Sequence, residues 1–247
     1  MRKFLVVSHA RSGSNLLVRS LDAHPKVVSR GELLKRTEPL DPLRALDFSA
    51  ERIADLERTR VSRSREFGDT FWSGFSGVSA AGFKLFYYHG RHLGPTIWTE
   101  IADNSDISII HLYRESHFDA FLSLKLAEAS GVWVRPAGKF QETDYGRSVT
   151  VDLDEFEKYS DELSAHIEGM NALVPKDRIR QVTYSRLVSS YGEELNGCFD
   201  FLGVGRISVE MPLDRQRGGT AMDYVANRNE VERYLADRDL LLETEDI

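Results

Sequence analysis

The chain opens on a continuous apolar run, Phe4-Leu5-Val6-Val7, between Lys3 and Ser8, with the length of a strand buried on both faces. The period then changes. Leu16, Leu17, Val18 and Leu21 recur at helical spacing and predict a helix over residues 14–22. His24-Pro25 ends it, because a residue before proline disfavours the α region. Val27-Val28-Ser29 predicts a short second strand leading to Gly31-Glu32. Pro39 and Pro42 then open a stretch of weak periodicity, in which a polar helix is expected around 50–63 and Gly, Ser and aromatic residues fill 67–77. Regular alternation returns with a strand at 81–87, a short helix at 95–102 and the β-branched run 107–113 of a buried parallel strand. A helix over 116–129 follows, with Gly131 where a C-cap glycine belongs. An amphipathic helix over 152–173 is stopped by Pro175, and a strand at 178–183 and helices at 187–202 and 225–237 complete the chain. Alternation of these lengths predicts an α/β domain with a central, mostly parallel sheet covered by helices on both faces.

At 247 residues the chain suits one domain, 1–247, with residues 35–79 read either as an insertion that shapes an acceptor site or lid, or as a surface excursion. Apolar residues at 41% and charged ones at 29% argue for a packed core and against disorder. A formal charge of −7 weighs against nucleic acid as a partner while allowing a local basic pocket. Cys198 is the single cysteine, so no internal disulfide forms, and its neighbours Phe199 and Phe201 suggest a buried helical thiol. The first apolar run is too short for a signal peptide, and no stretch approaches the ~20 apolar residues of a membrane span. The expectation is a soluble, cytoplasmic protein.

The chemistry concentrates in the turn between the first strand and the first helix, Ser8-His9-Ala10-Arg11-Ser12-Gly13-Ser14-Asn15. Backbone N–H groups at such a turn converge on an anion, and the helix dipole adds to the attraction. Gly13 permits close backbone approach, Ser12 and Ser14 add hydroxyl donors, and Arg11 adds a fixed charge with directed donors. A triphosphate loop needs G-x-x-x-x-G-K-[ST]. Here Ser8 stands at the first glycine and Ser14-Asn15 at the Lys-[ST] pair, which disfavours a metal-assisted triphosphate site. The dinucleotide fingerprint G-x-G-x-x-G is also absent.

This loop resembles the 5′-phosphosulfate-binding loop of sulfotransferases that use 3′-phosphoadenylyl sulfate (PAPS). Tyr113-Arg114 at a strand end, with Ser123 nine residues on, matches the pair that holds the donor's 3′-phosphate in that family. The segment from Ser123 to Trp133 is similar to bacterial carbohydrate sulfotransferases of the nodulation-factor and trehalose-modifying type. Val182-Thr183-Tyr184-Ser185-Arg186-Leu187, followed by Phe201-Leu202-Gly203-Val204, resembles a further family segment whose tyrosine lies near adenine, although Ser185-Arg186 stands where an acidic pair is usual. Arg215-Gln216-Arg217-Gly218 resembles the C-terminal segment that closes on the 3′-phosphate. The resemblance implies a P-loop-type three-layer domain, PAPS as donor, no metal, and a carbohydrate, glycolipid or other small-molecule acceptor. It leaves the oligomeric state open, a homodimer included.

Sulfuryl transfer needs a base for the acceptor hydroxyl and positive groups around the sulfonate and leaving phosphate. Glu32 is the candidate base, since related proteins carry a carboxylate after the first helix; the other reading is a solvated glutamate at a helix start. The resemblance assigns Arg11 to the 5′-phosphosulfate. It matches Lys84 to a lysine near the reacting sulfonate, against the alternative of a snorkelling strand lysine. His9, inside the loop, is the rival base or a substrate contact. His89-x-x-His92 has ligand spacing but no acidic or cysteine cluster nearby, and His111, between Ile110 and Leu112, reads as a satisfied core residue. Phe71, Trp72 and Phe75 read as a sugar platform or, more simply, as a local apolar cluster. Two other functions compete: a P-loop kinase for a small molecule, and a non-catalytic nucleotide-binding module of the same fold.

Overall fold

The computed structural model describes residues 1–35, 48–60, 64–89, 96–134, 148–213, 220–238 and 240, with the side chains of 64, 65 and 96 left aside. Strands β1 (Arg2–Ser8), β2 (Val27–Arg30), β3 (Ala80–Phe86), β4 (Ile107–Tyr113) and β5 (Ile179–Thr183) form one sheet in the order β2-β3-β1-β4-β5. Every pairing in it is parallel. The helices are α1 (Ser14–Asp22), α2 (Ala50–Thr59), α3 (Ser64–Trp72), α4 (Thr96–Asp103), α5 (His117–Ser130), α6 (Leu153–Leu173), α7 (Tyr184–Ser189), α8 (Tyr191–Leu202) and α9 (Arg228–Asp237). The expected three-layer α/β architecture with a parallel central sheet is what the chain adopts.

Alternation along the strands divides the core. Leu5, Val7, Phe83, Leu85, Ile107 and Ile109 face α2, α3, α4 and α6. Phe4, Val6, Ile110, Leu112 and Val182 face α1, α7 and α8. A third cluster joins Phe118, Phe121 and Leu126 of α5 to Phe156 of α6 and Val231 of α9. Cys198 is fully buried in the second cluster, and burial pushes its thiol up to about 11, so it packs as an apolar group.

Within the described part of 35–79, helix α3 lies where turn-like composition obscured a helix. Phe67, Phe71 and Trp72 project from it into the core, and the Trp72 indole N–H donates to the Ala81 carbonyl at 2.9 Å. Gly68 sits inside the helix because the Trp72 ring covers it: a Cβ there would lie 2.6 Å from that ring. Of the sequence-predicted aromatics, Phe71 and Trp72 therefore pack on Phe83 and Phe75 packs on Phe71, an apolar cluster in which Phe71 is fully buried. Phe71→Ala should cost about 3–5 kcal/mol of stability, the range for a fully buried aromatic. Urea denaturation measures this, and a loss below about 1 kcal/mol would contradict the packing.

Two other helices differ from expectation. The helix expected at 187–202 is two, α7 and α8, because Ser190 takes φ −129° and ψ 43° between them. The one expected from 225 starts at Arg228, since Val225 pairs with Val149 in an isolated parallel bridge.

Candidate active site at the carboxyl ends of the strands

Parallel strands bring all their carboxyl ends to one edge, and the sequence-predicted residues come off different strands there. After β1 the chain turns sharply through Arg11, at φ 68°, and Gly13, at φ 84°, into α1. Gly13 is the N-cap and supplies no side-chain cap, so the first-turn N–H groups of α1 are available to an anion. The Ser12 hydroxyl is committed to the loop itself, donating to the His9 carbonyl at 2.8 Å.

His9 ties this loop to β4. Its Nε2 accepts the Arg114 backbone N–H at 3.2 Å, which leaves Nδ1 to donate to the Ala10 carbonyl at 2.8 Å. Burial holds its pKa down to about 3. With both ring nitrogens engaged and no tendency to protonate, His9 is a neutral structural latch and unsuited to be the base. His111 is likewise buried, with its pKa held down to about 4; it bonds Asn171 at 2.9 Å and the Tyr87 hydroxyl. Folded His9 and His111 refuse protons that the unfolded chain takes up below its histidine pKa of 6.5. Stability is therefore present above pH 6.5 and falls as pH drops below it, until the folded values near 4 and 3 are reached. At pH 5 the two together should remove about 4 kcal/mol relative to pH 7. Urea midpoints at the two pH values test this, and equal midpoints would refute it.

The second group of residues lies between β1, β3 and β2. Lys84 points to the α1 face, in register with Val6, and is 1% exposed. Its ammonium donates to Asn15 Oδ1 at 2.8 Å and stands 3.2 Å from Glu32 Oε1 and 3.5 Å from Ser14 Oγ. A buried lysine is tolerated only with such partners. Glu32 follows the turn at Gly31, whose carbonyl accepts the Lys84 N–H at 3.2 Å. The Tyr88 hydroxyl donates to Glu32 Oε2 at 3.2 Å, and His89 Nε2 lies 3.7 Å from the same oxygen. His89 Nδ1 accepts the Phe86 N–H at 3.1 Å, so its Nε2 carries the hydrogen that faces the carboxylate. Sequence reasoning missed Tyr88 and His89 as Glu32 neighbours; their position at the end of a strand beside β2 was the available signal. His92 lies outside the described residues, and among those residues no group of three or more acidic, His or Cys side chains gathers to hold a metal.

The third group flanks β4. Arg114 is 6% exposed and lies 4.6 Å over the Tyr184 ring, with Asp119 4.0 Å away. Tyr184 also walls the loop, since a Cβ on Gly13 would be 2.6 Å from its ring. Ser123 on α5 accepts the Arg11 Nε–H at 3.0 Å, and Arg11 Nη1 donates to the Trp133 carbonyl at 2.6 Å. The Arg11 side chain thus turns to Ser123 and the Trp133 carbonyl, and Arg114, over Tyr184, reaches the Arg11 carbonyl at 3.4 Å, whereas Ser14, Asn15, Lys84 and Glu32 cluster on the other side of β1. Arg215, Gln216, Arg217 and Gly218 lie outside the described residues.

No family model matches the chain, and no curated protein does. Among solved structures, a sulfotransferase from Alicyclobacillus acidocaldarius aligns over 98% of this chain and 97% of its own, at 16% identity and a TM-score of 0.50. A sulfotransferase domain from the curacin biosynthetic pathway aligns over 98% of this chain and 92% of its own, at 20% identity and a TM-score of 0.53. The chain has the fold of these sulfotransferases. Among its described residues no helix is long and apolar enough to cross a membrane.

Proposed function

We propose that this protein is a PAPS-dependent sulfotransferase acting on a hydroxyl of a carbohydrate, glycolipid or other small acceptor. One observation carries the reading: Lys84 bridges Asn15 of the anion loop, at 2.8 Å, and Glu32, at 3.2 Å. A single buried cation thereby links the place for a sulfonate to the candidate base. The uncapped start of α1 suits the 5′-phosphosulfate, and Arg114 with Ser123 suits the 3′-phosphate, as the family resemblance implies. The two aligned structures are sulfotransferases, which supports the same reaction. The carbohydrate acceptor rests on the resemblance of residues 123–133 alone.

In this reaction the acceptor oxygen attacks sulfur in line and a new S–O bond forms. The bond from sulfur to the 5′-phosphate oxygen breaks, and the bisphosphate leaves with that electron pair. Glu32 takes the acceptor proton, and Lys84 offsets charge that builds on the sulfonate and the departing oxygen. Tyr88 and His89 hold the carboxylate toward Lys84.

Adenosine 3′,5′-bisphosphate at about 100 times its Kd should stabilise the fold by about 2.7 kcal/mol. A thermal melt reads this, and an unchanged midpoint at millimolar ligand would sink the proposal. Turnover of PAPS with a panel of sugars and alcohols, followed by bisphosphate release with chelator present, separates a transferase from a non-catalytic module and from a Mg²⁺-dependent kinase.

A further inference from the structure

Arg11 belongs by sequence to the first anion loop, yet its guanidinium sits with the second anion group. We propose that Arg11 reads the 3′-phosphate of the donor and sets the selectivity for 3′-phosphorylated nucleotides. The inference rests on the donor reading above and assigns a role that loop membership alone would place at the 5′ end.

Four observations converge on it. The backbone of Arg11 is in the left-handed region at φ 68°, uncommon for a residue with a Cβ, and such a conformation persists only where its surroundings hold it. Those surroundings are visible: Ser12 Oγ clamps the His9 carbonyl at 2.8 Å, and His9 in turn is latched to the Arg114 N–H at 3.2 Å. Arg114 Nη1 reaches the Arg11 carbonyl at 3.4 Å, so both arginines are fixed to one piece of backbone. The Arg11 side chain is then aimed across the loop at Ser123, 3.0 Å from Nε, and at the Trp133 carbonyl, 2.6 Å from Nη1.

The local charge fits an anion. Two guanidinium groups share this corner, and the carboxylate beside Arg114, Asp119, is 4.0 Å away and occupied in capping α5 with Ser116. A phosphate entering between Arg11, Arg114 and Ser123 would replace the Trp133 carbonyl, a neutral acceptor, with a charged one. The 5′ end has its own partners in the α1 N-terminus, Asn15 and Lys84, and does not need Arg11.

Isothermal titration of adenosine 3′,5′-bisphosphate and of 5′-AMP against wild type, Arg11→Gln and Ser123→Ala tests this. Wild type should prefer the bisphosphate. Arg11→Gln should weaken the bisphosphate by about tenfold or more while 5′-AMP changes by less than about threefold. Ser123→Ala leaves the loop intact and should show the same selectivity loss in smaller measure, so the proposal stays testable if the loop variant folds poorly. Equal weakening of both nucleotides by Arg11→Gln, or full retention of bisphosphate preference by Arg11→Gln, would overturn the assignment. A wild type that binds neither nucleotide would instead overturn the donor reading, and this inference with it.

Discussion

Glu32→Gln should lower turnover by about 10²–10⁴-fold, the usual contribution of a positioned general base, while binding of adenosine 3′,5′-bisphosphate stays within about threefold of wild type. The substitution keeps the shape and an oxygen for the Tyr88 hydroxyl, 3.2 Å away, but removes the basic site and the charge opposite Lys84. Donor affinity should hold because the α1 N-terminus and the Arg114 corner are untouched. Single-turnover sulfuryl transfer alongside bisphosphate titration separates the two effects. Undiminished transfer by Glu32→Gln would remove Glu32 from the role of base, and His9 could not inherit it, being neutral and doubly bonded.

The second large effect is expected at Lys84. Lys84→Met keeps the volume and apolar stem but deletes the cation that faces Asn15, Ser14 and Glu32. Transition-state stabilisation by one preorganised donor in a dry site is worth about 10²–10³ in rate, and the Lys84 ammonium also stands 3.2 Å from the candidate base. Turnover should therefore fall by about 10²–10³-fold. A variant with near-normal turnover would reduce Lys84 to a buried structural charge.

The frame of the molecule was legible because each strand announces itself by an apolar run and each crossover helix by its period. Gly131 at φ 74° and the Ser116–Asp119 cap bound α5 within a residue of expectation. Helix α3 was not legible, since Gly68 and the polar residues around it look like a turn until Trp72 is seen lying over the glycine. At the site, Lys84 stood out as a charge inside an apolar strand. Its partners did not, because only the parallel register of β3 with β1 and β2 brings Asn15 and Glu32 to it. His89 was weighed only by its spacing to His92 along the chain, and Tyr88 was not singled out, whereas their neighbour Glu32 comes from across the sheet. The direction of Arg11 depends on a backbone torsion that residue type does not encode.

The strand order has a further consequence. β1 is central, with β3 and β2 on one side and β4 and β5 on the other. Glu32 and Lys84 hang from the first side, and Arg114, Ser123 and Tyr184 from the second. The two jobs of the proposed reaction are thus divided between halves of one sheet that meet at a shared loop. Lys84 reaches back across that division to Asn15 of the shared loop, so exchanging the β2–β3 half would replace the candidate base and one contact of the anion loop together, while Arg114, Ser123 and Tyr184 stayed in place.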